Sequence, residues 1–121
     1  MADRSNGETA RPSPGPDRAV LRHVVLLGFR AGTAAETVAA AEARFAALAR
    51  QVPGVVALEW GRDASPEGLA NGHSHVFTLT FAGAAARDAY LVHPDHVAFA
   101  AWLRPHVGTL TVLDYSPEET P

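Results

Sequence analysis

The hydrophobic residues of the chain recur with two different periods, and these periods predict its secondary structure. In four segments apolar side chains occupy every second position, as in a half-buried β-strand. In two longer segments they recur in steps of three and four, as on one face of an α-helix. The predicted elements, in chain order, are a strand at 20–30, a helix at 33–51, strands at 55–61 and 74–81, a helical segment at 84–103 and a strand at 108–115.

This order of elements favours a single α+β domain. Its simplest compact solution is the ferredoxin-like βαββαβ arrangement, an antiparallel sheet with both helices on one face. The opposite face of such a sheet normally carries polar residues, yet Val24 and Leu26 lie on that second face of the first strand. A second copy of the same sheet would cover them. The sequence therefore predicts a homodimer that closes into an α/β barrel.

Strict alternation assigns each strand residue to one face of the sheet. Two positions on the face expected to meet the helices are histidines among apolar residues, so they are candidates for polar groups in a core or a pocket. In each strand, alternation places one set of residues on the same face. These sets are His23, Val25, Leu27 and Phe29 in the first strand, Val56, Leu58 and Trp60 in the second, and His75, Phe77, Leu79 and Phe81 in the third.

The first helix has signals for its start and its end. Thr33 and Glu36 have the spacing of a capping box, in which each side chain accepts a hydrogen bond from a backbone amide at the helix start. Pro53 and Gly54 follow its last apolar residue and end it. Its apolar stripe consists of Val38, Ala41, Phe45, Leu48 and Val52.

The second helical segment contains a proline that divides it. A residue before proline is pushed away from the helical conformation, and proline suits the first turn of a helix. We therefore expect one helix to end near Val92, a break at His93 and a second helix from Pro94. His96 then lies on the inward face of the second helix, because Phe99 and other apolar residues follow it at helical spacing.

Composition narrows the class of protein. A chain of 121 residues with 47% hydrophobic residues and a net charge of -3 is typical of one globular domain. Its arginines are scattered, so a nucleic-acid partner is not expected. The absence of cysteine rules out disulfides and thiolate metal sites.

The two ends of the chain differ from its body. We expect a disordered N-terminal tail at 1–19, one domain at 20–116 and a polar C-terminal tail at 117–121. The first residues lack the apolar core of a signal peptide, and no segment is apolar enough to span a membrane. These features predict a cytoplasmic protein with no membrane partner.

The most specific motif of the chain is Tyr-x-x-His-Pro-x-His at residues 90–96. Together with His23 and His75, it resembles the Dabb family, the stress-responsive dimeric α/β-barrel domains, and the resemblance covers about residues 21–116. Shorter motifs that follow the order seen in this family are His23–Phe29, Val52–Val55, Glu59–Gly61, His73–Phe77 and Leu113–Tyr115.

The resemblance implies a ferredoxin-like protomer whose sheet pairs with that of a second copy. It also implies an activity, since one plant member is an enzyme that closes a linear polyketide by aldol condensation. By motif position, the catalytic tyrosine and histidine of that enzyme correspond to Tyr90 and His96. Its pocket histidines correspond to His23, His75 and His93.

The expected surroundings of His96 suit a general base. In the first turn of a helix the macrodipole disfavours the imidazolium form, and apolar neighbours act in the same direction, while Asp95 opposes them. A neutral histidine can accept a proton, and Tyr90 can donate a hydrogen bond to a forming enolate oxygen. We predict His96 and Tyr90 as catalytic residues; the predicted substrate-binding residues are His23, Val25, Leu27, His75, Phe77, His93 and Phe99.

Structural roles compete with these functional ones. His23 and His75 could be buried neutral histidines, His93 a helix cap and Tyr90 a core residue. His93 and His96 are also possible metal ligands, but the proline between them aims them differently and no third ligand is evident. No glycine-rich phosphate loop or dinucleotide motif occurs. We therefore predict no metal and no cofactor.

The sequence thus predicts a cofactor-independent cyclase or lyase that acts on a polyketide-like or other enolisable carbonyl substrate by general acid–base chemistry. Two alternatives remain open. One is a non-catalytic, dimeric stress-responsive protein that binds an apolar small molecule, and the other is a cofactor-free monooxygenase of a phenolic substrate. All three predict a small-molecule ligand and a second copy of the chain as partners.

Overall fold

Residues 19–119, the part of the chain that the computed structural model describes, form four strands and three α-helices. The predicted N-terminal tail, apart from Ala19, and residues 120–121 of the predicted C-terminal tail lie outside the described residues. No helix within residues 19–119 is long and apolar enough to cross a bilayer. The elements are strand β1 (Leu21–Phe29), helix α1 (Ala35–Gln51), strands β2 (Val55–Arg62) and β3 (His75–Phe81), helices α2 (Ala84–Val92) and α3 (Pro94–Leu103), a 3₁₀ turn (Arg104–His106) and strand β4 (Val107–Tyr115).

The strands form one antiparallel sheet in the order β2-β3-β1-β4. β1 therefore lies inside the sheet, where Val25 pairs with Phe77 of β3 and with Val112 of β4. This order, with the buried side chains on the face that meets the helices, is the ferredoxin-like βαββαβ fold of the α+β class. The predicted fold is confirmed.

Helix α1 packs on the β3 side of the sheet through its predicted apolar stripe. Ala41, Phe45, Leu48 and Val52 are buried. The Phe45 ring stacks on the ring of Phe77, with centroids 4.1 Å apart and planes inclined by 7°. Because burial of one large apolar side chain contributes about 1.5–3 kcal/mol, this stripe holds α1 firmly over β3.

The other face of the sheet is less well covered. Val24 and Leu26 of β1 are only partly buried, and Leu113 of β4, which pairs with Val24, keeps 61% of its surface exposed. The apolar second face predicted for β1 is therefore available for contact with another surface.

The start of α1 differs from the prediction. Ala34, not Thr33, occupies the N-cap position, and no side chain caps the helix. The Thr33 hydroxyl instead donates a hydrogen bond of 2.6 Å to the carbonyl oxygen of Arg30 in the turn after β1. The predicted capping box with Glu36 is wrong, because a local turn competes for the same hydroxyl.

The faces of β2 also differ from strict alternation. The register shifts between Val55, which pairs with Phe81, and Ala57, which pairs with Thr80. The extra residue, Val56, is 66% exposed, whereas Val55 packs against the core. A bulge of this kind reverses the alternation at one point, so the prediction that Val56 shares a face with Leu58 and Trp60 is wrong.

Proline divides the second helical segment where the sequence predicts it. α2 ends at Val92, α3 begins at Pro94, and His93 between them has an extended backbone with φ -65° and ψ 136°. The break brings Tyr90 of α2 and His96 of α3 together, with ring centroids 4.5 Å apart. The most specific motif of the sequence is thus a helix–break–helix unit that pairs two polar rings.

Gly28 of β1 tests the close packing of the sheet. A Cβ added there would overlap the Gly72 carbonyl oxygen and lie 2.5 Å from Oγ1 of Thr109. We expect Gly28→Ala to lower the free energy of unfolding by about 1–3 kcal/mol, the typical cost of overpacking. Gly61→Ala is the control, because no atom lies within 4 Å of its added Cβ. Equal urea midpoints for the two variants would contradict this prediction.

Candidate functional site

A cavity of about 500 Å³ lies between the helices and the β1–β4 half of the sheet. It exists because α1 covers β3, where Phe45 stacks on Phe77, whereas the inward face of β4 is not covered to the same extent. Two inward-facing residues of β4, Leu110 and Val112, accordingly keep 53% and 47% of their surface exposed. The apolar wall includes Val25, Phe45, Phe99, Leu103 and Val112, and the polar groups are His23, Tyr90, His96, Arg104 and Asp114.

Tyr90, which lines this cavity, has a buried hydroxyl. The side chain is fully buried, and its hydroxyl has no hydrogen-bond partner among residues 19–119. Burial raises the pKa of Tyr90 well above its usual range, so the hydroxyl remains protonated and able to donate. An unpaired buried polar group costs about 1–3 kcal/mol, and a ligand atom that reaches the hydroxyl would supply the missing partner.

His96 lies beside Tyr90, and a backbone group determines its tautomer. Nδ1 is 3.1 Å from the carbonyl oxygen of Leu91, which can only accept, so the neutral ring carries its proton on Nδ1. Nε2 is then free to accept a proton. Burial lowers the pKa of His96, the hydrogen bond to Leu91 opposes this change, and nearby His23 adds a smaller lowering effect. The ring is therefore held in the neutral form that a general base needs.

A second histidine of the cavity, His23, is held by a carboxylate. Its Nδ1 lies 2.7 Å from Oδ1 of Asp114 on β4, and its ring centroid lies 6.0 Å from that of Tyr90. The carboxylate accepts the Nδ1 proton and leaves Nε2 as the acceptor of the neutral ring. His23 and His96 thus have the same tautomer, although one is held by a side chain and the other by a backbone carbonyl.

Two charged residues of the cavity were not among the predicted site residues. Asp114 and Arg104 both line it. A signal for Asp114 does exist in the sequence: it follows Leu110 and Val112 at the period of a strand and so shares their inward face. Arg104 follows the end of α3, and its place in the wall depends on how that helix lies over the sheet.

Four of the predicted substrate-binding residues do not line this cavity. Leu27 is fully buried in the core. His75 and Phe77 lie on β3 beneath α1, where Nε2 of His75 donates to Oε2 of Glu42 at 2.7 Å. Burial alone would raise the pKa of Glu42, but hydrogen bonds from His75 and Arg62 outweigh burial and hold it below its ordinary value. His75 and Phe77 lie outside the cavity because α1 fills the space over β3.

His93, the fourth of these residues, acts as a helix cap. Its Nδ1 accepts a hydrogen bond of 3.1 Å from the backbone amide of Asp95, in the first turn of α3. No group of three or more His, Asp or Glu side chains within residues 19–119 is arranged to hold a metal ion. Of the predicted site residues, those that line the cavity together are His23, Val25, Tyr90, His96 and Phe99.

Comparison with known sequences assigns the chain to a family. The Stress responsive A/B Barrel Domain, or Dabb, family matches residues 21–117, and the chain belongs to this family. The Stress-response A/B barrel domain-containing protein HS1 of Arabidopsis thaliana is 33% identical over 97 residues, which are 80% of this chain and 89% of that protein. Olivetolic acid cyclase of Cannabis sativa is 28% identical over 72 residues, which are 60% of this chain and 71% of the enzyme.

Solved structures share the fold. The hydroxynitrile lyase of Passiflora edulis superposes with a TM-score of 0.80 at 25% identity, over 85% of this chain and 97% of the lyase. A dimeric ferredoxin-like protein of Jannaschia sp. superposes with a TM-score of 0.71 at 27% identity, over 81% of this chain and 99% of that protein. The resemblance to the Dabb family drawn from the motifs is confirmed.

The surroundings of His96 predict its titration. We expect its pKa to lie below the ordinary histidine value of about 6.5, because burial disfavours the imidazolium. The stability that this shift contributes is fully present above about pH 6.5 and is lost as the pH falls through the folded-state pKa. Ring resonances followed by NMR against pH measure this value, and His96→Asn identifies the signal. A midpoint at or above 6.5 would contradict the assignment.

Proposed function

We propose that this protein is a cofactor-independent cyclase or related lyase that acts on a polyketide-like or other enolisable carbonyl substrate. The observation that carries the proposal is Tyr90, a residue of the cavity wall whose ring lies beside that of His96 and whose buried hydroxyl has no partner among residues 19–119. A donor and an acceptor therefore occupy adjacent positions, and neither is satisfied by a side chain of the described protein. A carbonyl group with an acidic neighbouring C–H would use both.

In the proposed reaction, Nε2 of His96 removes a proton from the carbon next to a carbonyl group, and Tyr90 donates a hydrogen bond to the enolate oxygen. The enolate carbon attacks a second carbonyl carbon of the same substrate, which forms the new C–C bond. The alkoxide then takes the proton back from His96. The lyase direction is the reverse of these steps, and neither direction needs an oxidant or a reductant.

The cavity suits such a substrate in size and polarity. Its volume of about 500 Å³ is in the range of small-molecule sites, about 300–1,000 Å³. In the proposed complex Val25 and Phe99 contact the apolar part of the substrate, and His23 accepts a hydrogen bond from a polar group. Leu27, His75, Phe77 and His93 have no part in this proposal, because they do not line the cavity.

Two relatives support the reaction class. Olivetolic acid cyclase and the hydroxynitrile lyase of Passiflora edulis are named for a cyclase and a lyase activity, respectively. The residues that the resemblance matches to the catalytic pair of the plant cyclase, Tyr90 and His96, are also the residues that line the cavity of this chain. We propose the same roles for them here, and a cytoplasmic location for the protein.

A second candidate function is binding without catalysis. The mostly apolar cavity would accept a small molecule whether or not a reaction follows, and HS1 is named only as a stress-response protein. A binding protein has no need of a neutral histidine beside a buried hydroxyl. This pairing of His96 and Tyr90 is our reason for preferring an enzyme.

Variants of the catalytic pair test the proposal. With a linear polyketide thioester as substrate and product detected by mass spectrometry, we expect Tyr90→Phe to lower kcat by about 10²–10³-fold, the usual effect of removing one donor to a developing oxyanion. His96→Ala removes the base and should lower kcat at least as much. Wild-type kcat should rise with pH through the lowered pKa of His96, because the base must be neutral.

The control for Tyr90→Phe is Tyr115→Phe, which removes a hydroxyl from a residue that is 49% exposed and does not line the cavity. It should leave kcat unchanged. Wild-type turnover in both Tyr90→Phe and His96→Ala would show that these are only core residues. Binding of substrate analogues without product in the wild type would instead favour the second candidate function.

We also propose that two copies of the chain pair through the open faces of their sheets. Val24 and Leu26 offer an apolar surface there, and the Jannaschia relative is described as dimeric. Apolar area removed from water stabilises association by roughly 25 cal/mol per Å², and a pair of identical sheet faces supplies such area symmetrically.

A charge on this surface tests the dimer. We expect Val24→Asp to yield a monomer in sedimentation at micromolar concentration, because a buried unpaired carboxylate opposes association. Val97→Asp is the control, since Val97 is 52% exposed on α3, away from the open sheet face, and it should leave the dimer intact. A wild-type chain that sediments as a stable monomer would contradict the proposal.

A further inference from the structure

An arginine outside the cavity is bonded to one of the residues that line it. The guanidinium group of Arg87, on α2, donates to Oδ2 of Asp114 at 2.5 Å and to Oδ1 of Asp88 at 2.8 Å. We infer that Arg87 is a positioning residue, which fixes the tautomer of His23 by holding the carboxylate of Asp114 in place. The relevance of this role for catalysis rests on the proposed function.

The two oxygens of Asp114 have different partners. Oδ1 accepts from Nδ1 of His23 at 2.7 Å, and Oδ2 accepts from Arg87. Asp114 lies near the end of β4, an edge strand of the sheet, so β4 alone leaves its side chain free to rotate. The bond from Arg87 joins α2 to β4 and confines the carboxylate to the orientation in which it meets His23.

The degree of burial favours a functional bond over a surface contact. The side chains of Arg87 and Asp114 are each 22% exposed, and that of His23 is 6% exposed. Asp88 is 68% exposed, so its pair with Arg87 lies largely in water and contributes little. We therefore expect the partly shielded bond to Asp114, and not the pair with Asp88, to hold the Asp114 carboxylate in place.

The chemical consequence concerns the acceptor nitrogen of His23. While Asp114 accepts the Nδ1 proton, Nε2 carries the lone pair. If Arg87 is removed, Asp114 can turn towards water, Nδ1 of His23 loses its acceptor, and the neutral ring can carry its proton on Nε2 instead. His23 would then offer a donor to the ligand where it now offers an acceptor. His96 is unaffected, because the Leu91 carbonyl holds its tautomer.

Nitrogen-15 NMR of the histidine rings tests this inference on the full chain, without any substrate. At about pH 8, above the ordinary histidine pKa of about 6.5, the ¹⁵N shifts of a neutral imidazole distinguish its two tautomers. We expect the wild type to show the Nδ1–H form of His23, and Arg87→Gln to show a substantial Nε2–H population. Arg87→Lys keeps the charge and should restore part of the wild-type tautomer.

Asp88→Asn is the matched control, since it removes the other partner of Arg87 and should leave the tautomer of His23 unchanged. If Arg87→Gln retains a fully Nδ1–H ring at His23, Arg87 is only a structural ion pair and the inference is wrong. In a turnover assay we expect Arg87→Gln to lower kcat/KM about tenfold with the resonances of His96 unmoved. If the tautomer of His23 changes in Arg87→Gln but the wild type catalyses no reaction, the proposed enzymatic function is wrong and the positioning role stands.

Discussion

The uneven cover of the sheet is the constraint on which the rest of the structure depends. The stacking of Phe45 on Phe77, with ring centroids 4.1 Å apart, places α1 over β3, whereas Leu110 and Val112 on the inner side of β4 keep 53% and 47% of their surface exposed. The space left over β1 and β4 is the cavity, and its opening follows from the same geometry. A helix centred over the sheet would fill this space with core side chains. The fold thus creates the candidate site by the position of one helix.

Within this mostly apolar space, a fixed acceptor determines the tautomer of each histidine. The Leu91 carbonyl oxygen accepts from His96, and the Asp114 carboxylate accepts from His23. Burial keeps Tyr90 protonated. Low polarity strengthens each of these effects and makes an unpaired group costly. The same surroundings that favour the neutral form of His96 therefore leave the Tyr90 hydroxyl without a partner among residues 19–119.

A feature of the fold or the site could be predicted from the sequence where the interaction that determines it is local. The break at His93 follows from the proline beside it, and the inward position of His23 follows from strand alternation, so both were predictable. The bulge at Val56 depends on how β2 pairs with β3, and the hydrogen bond of the Thr33 hydroxyl depends on competition between the helix start and the turn after β1. Neither can be recognised within a single segment. His75 has the same alternation as His23, and only the position of α1 separates it from the cavity.

The proposed function requires that the protein removes a proton from the carbon next to a carbonyl group. Deuterium incorporation at that carbon measures this step alone, for instance in a medium-chain alkyl ketone dissolved in D₂O and followed by NMR. We expect the wild-type protein to accelerate exchange above the buffer rate and His96→Ala to reduce it to that rate. Binding of the ketone in the cavity, seen as shifted resonances of Tyr90 and His96, with exchange at the buffer rate would contradict the account.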